Sequence, residues 1–183
     1  MNKTNFTVEA LCVGAMCIAL SFALSFIKFV QMPQGGSLTP ASMLPLMIFC
    51  YIYGMKKGVI ACIAYGLLQL LQDSYVVHWA QLFLDYILAF VALSLAGVFK
   101  NAKAGKVNTI FFGIILASLG RFICHDVSGI IFFAQYAGGQ NVIIYSSVYN
   151  SYVLIEGLLC MTVMLIPQLN KFIIKRRLDA RGE

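Results

Sequence analysis

The chain has 183 residues, of which 61% are hydrophobic and only 11% charged, and a formal net charge of +6. That balance lies outside the range of a water-soluble domain, and at about 20 residues per crossing the length is filled by roughly six membrane helices with short connections. A separate soluble catalytic domain is thereby excluded.

In chain order, apolar runs punctuated by Gly, Pro and charge predict crossings near 9–31, 39–55, 58–73, 80–99, 108–134 and 148–170, within one domain spanning 1–183. The first run follows Glu9, exceeds a signal-peptide core in length and lacks a small-residue cleavage site, so it reads as a retained helix. It carries Ala15, Ala19 and Ala23 at four-residue spacing beside Gly14, a face that lets another helix approach closely. That face either packs within the chain or docks a partner. The second and third runs are short and meet at Gly54-Met55-Lys56-Lys57-Gly58, which predicts a tight helical hairpin.

The six cysteines, Cys12, Cys17, Cys50, Cys62, Cys124 and Cys160, lie inside apolar runs without CxxC or Cys/His spacing. They read as small buried hydrophobes, and neither a metal site nor a disulfide framework is expected. Six crossings place both termini on one side. Lys3, Lys56, Lys57, Lys100, Lys103, Lys106, Lys171, Lys175, Arg176, Arg177 and Arg181 all fall on it, leaving only Lys28 and Arg121 elsewhere. By the positive-inside rule the termini are cytoplasmic. The basic excess is therefore a topology signal, with anionic membrane lipid as a secondary contact and no nucleic acid.

The external segments are then 31–38, 72–79 and 135–147, which are polar, Gly-rich and Tyr-rich. Within the first, Gln34, Gly35, Gly36 and Ser37 suit a lid, because the glycines relax the backbone and the amide can hydrogen-bond; an ordinary turn is the alternative. Five Asp, Glu, Arg or His residues fall inside the last three predicted crossings: Asp85, Arg121, His125, Asp126 and Glu156. Each costs about 2.5–3.5 kcal/mol to insert, so each needs a partner, a cavity or a role. Arg121, His125, Gly129 and Phe133 share one face of the fifth helix. Arg121 is expected to pair with Asp85, Asp126 or Glu156 as scaffold. Asp85, Tyr86 and Tyr75 bring a carboxylate and two phenols together, a group that suits a desolvated cation, whose attraction to aromatic faces is about 2 kcal/mol. Tyr145, Tyr149, Asn150 and Tyr152 follow near the sixth helix, where Asn150 either reads a heteroaromatic edge or bonds between helices.

These residues carry a resemblance. Gln81-Leu82-Phe83-Leu84-Asp85-Tyr86, His125 with Ser128-Gly129-Ile130-Ile131-Phe132-Phe133-Ala134-Gln135-Tyr136-Ala137, Tyr145-Ser146 and Tyr149-Asn150 resemble, in order and spacing, the thiamine-specific substrate-binding components of energy-coupling factor transporters, as does Gln34-Gly35-Gly36-Ser37. The resemblance implies an all-α, six-helix integral membrane bundle in a bacterial cytoplasmic membrane. It would capture thiamine from outside and associate with a transmembrane coupling subunit of the EcfT type and two ATPase subunits of the EcfA type. It also implies that Asp85, in the family's Glu position, faces the thiazolium, that Tyr86, Tyr75, His125, Tyr145 and Asn150 line the pocket, and that Gly129 leaves it room. Ala15 and Ala19 would meet the coupling subunit. Phe133 stands where some members have Trp, which weakens a stacking partner and, with the shorter Asp85, leaves a related pyrimidine or thiazole compound as an alternative ligand.

The chain has no GxxxxGK[ST] motif and so no conventional phosphate-binding loop of its own. Binding without catalysis or a cofactor is the expectation. The rivals are a stand-alone proton-coupled transporter relaying through Asp85, His125 and Asp126, and a small enzyme using His125 and Asp126. The latter lacks a nucleophile or metal set.

Overall fold

The computed structural model describes residues 7–72, 74–102 and 109–182. Lys3, Lys103 and Lys106 of the topology argument lie outside them. Helix α1, Val8–Ser25, opens with the Thr7 hydroxyl accepting from the Ala10 amide at 3.2 Å. It ends well before residue 31: the chain unwinds and makes an antiparallel ribbon of β1, Val30–Gln31, and β2, Ser37–Leu38, with Val30 opposite Leu38. The return between them uses Gly35 and Gly36 at φ of +91° and +85°, a backbone that glycine adopts at no steric cost.

Helices α2, Leu44–Tyr53, and α3, Met55–Gln69, turn sharply at Gly54, φ +93°. Helix α4 runs through Trp79–Asn101 and changes pitch twice, widening to i→i+5 bonding over Phe83–Leu88 and tightening to 3₁₀ geometry over Ala92–Asn101. Helix α5 is Thr109–Phe132, followed by a 3₁₀ turn at Ala134–Ala137. Asn141 caps α6, Val142–Met164, by accepting from the amides of Ile143 and Ile144; the helix is interrupted at Ser151. It thus starts six residues before the expected 148, because the cap lies further upstream than the apolar run. Pro167 has no N–H to continue it and instead opens a separate helix, α7, Pro167–Asp179.

Among the described residues, α1, α4, α5 and α6 are each long and apolar enough to cross a membrane. Helix α2 is short but central: Leu46, Met47, Phe49, Cys50 and Tyr51, with Met43 just before it, are all at most 1% exposed. The outer surface is apolar, with Leu20, Ile60, Leu67, Phe112, Ile123 and Leu158 all more than half exposed. Since lipid tails are as apolar as leucine, packing and polar contacts between helices must hold the bundle together.

Two glycines let the backbones of neighbouring helices meet. A Cβ at Gly66 would run into the Tyr86 carbonyl in the wide turn of α4, so α3 lies directly against that turn. A Cβ at Gly97 would strike the backbone at Cys50, Gly54 and Met55, where the α2–α3 hairpin meets α4. The same end of the bundle gathers basic residues. Arg177, 1% exposed, donates to Tyr51 Oη, to Thr109 Oγ1 at 3.0 Å and to the Ala102 carbonyl at 3.1 Å, tying α7 to α2, α4 and α5. Arg176 reaches Glu9 of α1 at 3.4 Å. The opposite end holds the ribbon and the Tyr-rich connections.

Gly97→Ala is expected to cost about 1–3 kcal/mol by overpacking against backbone that cannot move aside. Gly14→Ala meets only the Phe49 ring, at 3.2 Å, and is expected to cost less. Thermal unfolding of both variants in detergent checks the order.

Candidate functional site

A cavity of about 130 Å³ lies beneath the ribbon, between α3, α4, α5 and α6. All eight residues expected to face a ligand line it: Tyr75, Asp85, Tyr86, His125, Gly129, Phe133, Tyr145 and Asn150. So do Gln34, Gly35, Gly36 and Ser37, the residues expected to form a lid.

Asp85 and Tyr86 lie within the wide turn of α4. Such i→i+5 turns are uncommon and recur at functional sites, because they re-aim side chains that a regular helix would point elsewhere. The carboxylate is held from three sides. Oδ2 accepts from Gln81 Nε2 at 2.7 Å and from Ser128 Oγ at 2.8 Å, while Oδ1 lies 2.9 Å from His125 Nδ1. These donors hold it in one orientation. Gln81, 2% exposed, also donates to the Tyr75 carbonyl and accepts from the Val77 amide, so the residue that braces Asp85 shapes the adjoining connection.

Aromatic rings form much of the remaining wall. The Tyr75 amide donates to Tyr86 Oη at 3.0 Å. The Tyr75 ring lies 6.0 Å from that of Phe133, and its hydroxyl meets that of Tyr136 at 3.1 Å, a bond that pushes the Tyr75 phenol up from its ordinary titration range. Tyr145 packs beside Tyr149 at 6.0 Å. Tyr149 then fastens the ribbon, its hydroxyl accepting from the Gln34 amide at 2.8 Å and donating to the Gly35 carbonyl at 3.1 Å. At Gly36 a Cβ would overlap the Tyr152 ring, so the ribbon sits directly on α6.

The five ionisable residues divide. Arg121 pairs with Glu156, at 3.8 Å, out of the three partners considered for it. Its guanidinium also lies 4.7 Å above the Phe90 ring, and Nε donates to His125 Nε2 at 3.3 Å. Glu156, 1% exposed, accepts from Thr39 Oγ1 and from Ser42 Oγ at 2.9 Å, just after the ribbon. Asp126 does not line the cavity; it accepts from Ser147 Oγ at 3.2 Å. The three groups considered for a proton relay are therefore not gathered, and the cation beside His125 does not release a proton in proteins.

Two residues act differently from the simplest expectation. Asn150 spends its amide hydrogens on the carbonyls of His125 and Ser146, at 3.3 and 3.0 Å, and so joins α6 to α5 while lining the cavity. At Gly129 a Cβ would press into Ser146 Oγ, so the missing side chain admits α6 before it admits a ligand. Sequence reasoning did not assign Gln81, Ser128 or Tyr149 to the site, nor Gln69, Gln72 and Lys28 to its wall. The signal for Gln69, Gln72 and Gln81 was an amide at the end of an apolar run.

Comparison with known proteins extends this geometry. The chain is 32% identical to the thiamine transporter ThiT of Bacillus subtilis strain 168, over 93% of this chain and 98% of the relative. It is 27% identical to ThiT of Lacticaseibacillus paracasei over 74% of each. Among solved structures it is similar to ThiT from Listeria monocytogenes, with a TM-score of 0.72, 24% identity and coverage of 88% of this chain and 97% of that one. It is also similar to the S component of a bacterial ECF transporter, with a TM-score of 0.61, 20% identity and coverage of 90% and 97%. These likenesses show a shared fold. The family model described as thiamine transporter protein, Thia_YuaJ, matches residues 11–175, and the chain belongs to that family.

Proposed function

We propose that this chain is the thiamine-binding subunit of an ATP-driven energy-coupling factor importer, capturing its vitamin in the cavity beneath the ribbon. The observation that carries the reading is the Asp85 carboxylate, held by Gln81, Ser128 and His125 at the edge of an aromatic-lined cavity. An oriented anion among rings suits a flat organic cation, and membership of the thiamine transporter family supports thiamine as that cation. Asp85 supplies the counter-charge to the thiazolium. Tyr75, Tyr86, His125, Phe133 and Tyr145 pack around the ligand, and Asn150 and Gly129 shape the wall on α6 and α5. Residues 34–37 form the lid, and Tyr149 holds it down.

In this reading α2 and α3 also cross the bilayer, giving six crossings of a single domain with both termini on the cytoplasmic side of a bacterial cell membrane. The support is the gathering of α1's start, the α2–α3 turn and α7 at the basic end, opposite the cavity. Ala15, Ala19 and Ala23 are exposed on α1, whereas Gly14 packs on Phe49. The alanine face is therefore left to a coupling subunit, and two ATPase subunits supply the energy. A proton-coupled transporter is the less supported alternative, since Asp126 stands apart and Arg121 interrupts the polar chain.

Asp85→Asn keeps the shape and removes the charge. Calorimetry on the purified protein should show thiamine affinity reduced by about a hundredfold, from a contact worth a few kcal/mol at an intermediate dielectric. Unchanged affinity in a folded variant excludes Asp85 as the counter-charge. Ala15→Trp should leave thiamine binding intact and abolish ATP-dependent uptake by the reconstituted complex. Loss of binding in that variant contradicts the docking role.

A further inference from the structure

The cavity requires more than a carboxylate: it requires one that stays available to a cation from outside the protein. The nearest protein group able to neutralise Asp85 is His125, 2.9 Å away, which would form an internal ion pair if it carried a proton on both nitrogens. What stands on the far side of the imidazole decides its state. Arg121 Nε points its hydrogen at His125 Nε2, at 3.3 Å. A guanidinium is always a donor, so Nε2 must be the accepting, unprotonated nitrogen. The ring hydrogen is then on Nδ1, where it is donated to Asp85.

Arg121 is fixed on its other sides. It lies over Phe90 and pairs with Glu156, which Thr39 and Ser42 hold in turn. The other charged or titratable groups around His125 do not offer a competing partner for Nε2. From α4 come Asp85, bonded to Nδ1, and Tyr86, whose hydroxyl receives the Tyr75 amide. From α6 come Tyr152, in ring contact at 6.3 Å, and Glu156 behind Arg121. On α5 itself, Asp126 faces Ser147 and Cys124 is the neighbouring thiol. Lys28 lines the cavity from the segment after α1. Since Arg121 and Glu156 balance one another and a neutral His125 adds no charge, the cluster of these four residues keeps the net charge of Asp85.

We propose that Arg121 is a positioning residue, which holds His125 as the neutral tautomer protonated on Nδ1 and thereby keeps Asp85 an oriented, un-neutralised anion for the ligand. The role rests on the cavity being a cation site, as proposed above. It makes Arg121, which is part of the cavity wall, and Glu156, which is not, determinants of affinity through His125.

The test uses full-length protein in detergent with nitrogen-15-labelled histidine. There are two histidines, and His125→Gln assigns the signals. At pH 7 and without thiamine, the wild type should show His125 as a neutral ring with the hydrogen on Nδ1. Arg121→Met combined with Glu156→Gln removes both charges and keeps an acceptor for Thr39 and Ser42. That variant should lose the single-tautomer pattern and bind thiamine about tenfold more weakly, the equivalent of one oriented hydrogen bond. Arg121→Lys, which retains a cationic donor, should restore both readouts to within about threefold of wild type. A merely structural role would lower the unfolding temperature and leave the nitrogen pattern unchanged.

A wild-type ring protonated on Nε2, or a folded double variant with unchanged pattern and affinity, overturns the proposal. If the double variant does not fold, the wild-type spectrum decides alone. Should folded wild type show the Nδ1 tautomer yet bind no thiamine, the ligand assignment fails and the tautomer assignment stands.

Discussion

A charge placed within a membrane protein has few ways to remain a charge. Water does not screen it, its insertion costs several kcal/mol, and any neighbouring opposite charge tends to absorb it. Asp85 meets this constraint through donors that are neutral: the Gln81 amide, the Ser128 hydroxyl and, with its hydrogen on Nδ1, the His125 ring. Much of the architecture around the cavity supports that arrangement. The wide turn of α4 aims the carboxylate, Gly66 admits α3 against the same turn, and Gln81 links it to the Tyr75 connection.

The second ionic centre adjoins the cavity through Arg121, with Glu156 buried behind it. Arg121 and Glu156 sit among Phe90, Thr39, Ser42 and His125, so their charges are spent inside the protein. Burying such a pair contributes little net stability compared with an apolar pair of the same size. Its value is in specifying geometry, because it connects the helix that carries His125 with the segment that follows the ribbon. The polar chain from Asp85 to Ser42 thus joins the proposed recognition group to the base of the proposed lid.

Much of this could be read from the residues. Isolated ionisable groups in apolar helices stand out, and the four-residue spacing from Arg121 through Phe133 placed them on one face. The pairing of Arg121 was open among three carboxylates, because spacing along one helix says nothing of which neighbouring helix lies opposite. The short ribbon was also hidden: two residues per strand give no alternating pattern, and its anchor is a single hydroxyl, Tyr149, distant in sequence. Helix α7 escaped notice because its apolar positions continue those of α6, with only Pro167 marking the break. Gly129 read as room for a ligand, whereas its closest neighbour is Ser146, a contact that depends on how α5 and α6 cross.

The central claim is that an oriented anion selects a cation from among flat aromatic molecules. It is tested most directly by comparing, on the same purified protein, the affinity for thiamine with that for an isosteric analogue whose second ring is uncharged. The account predicts that thiamine binds at least about tenfold more tightly, with the difference abolished in Asp85→Asn, as expected for a charge contact worth more than 1.4 kcal/mol. Equal affinity for the charged and uncharged rings in the wild type would contradict it.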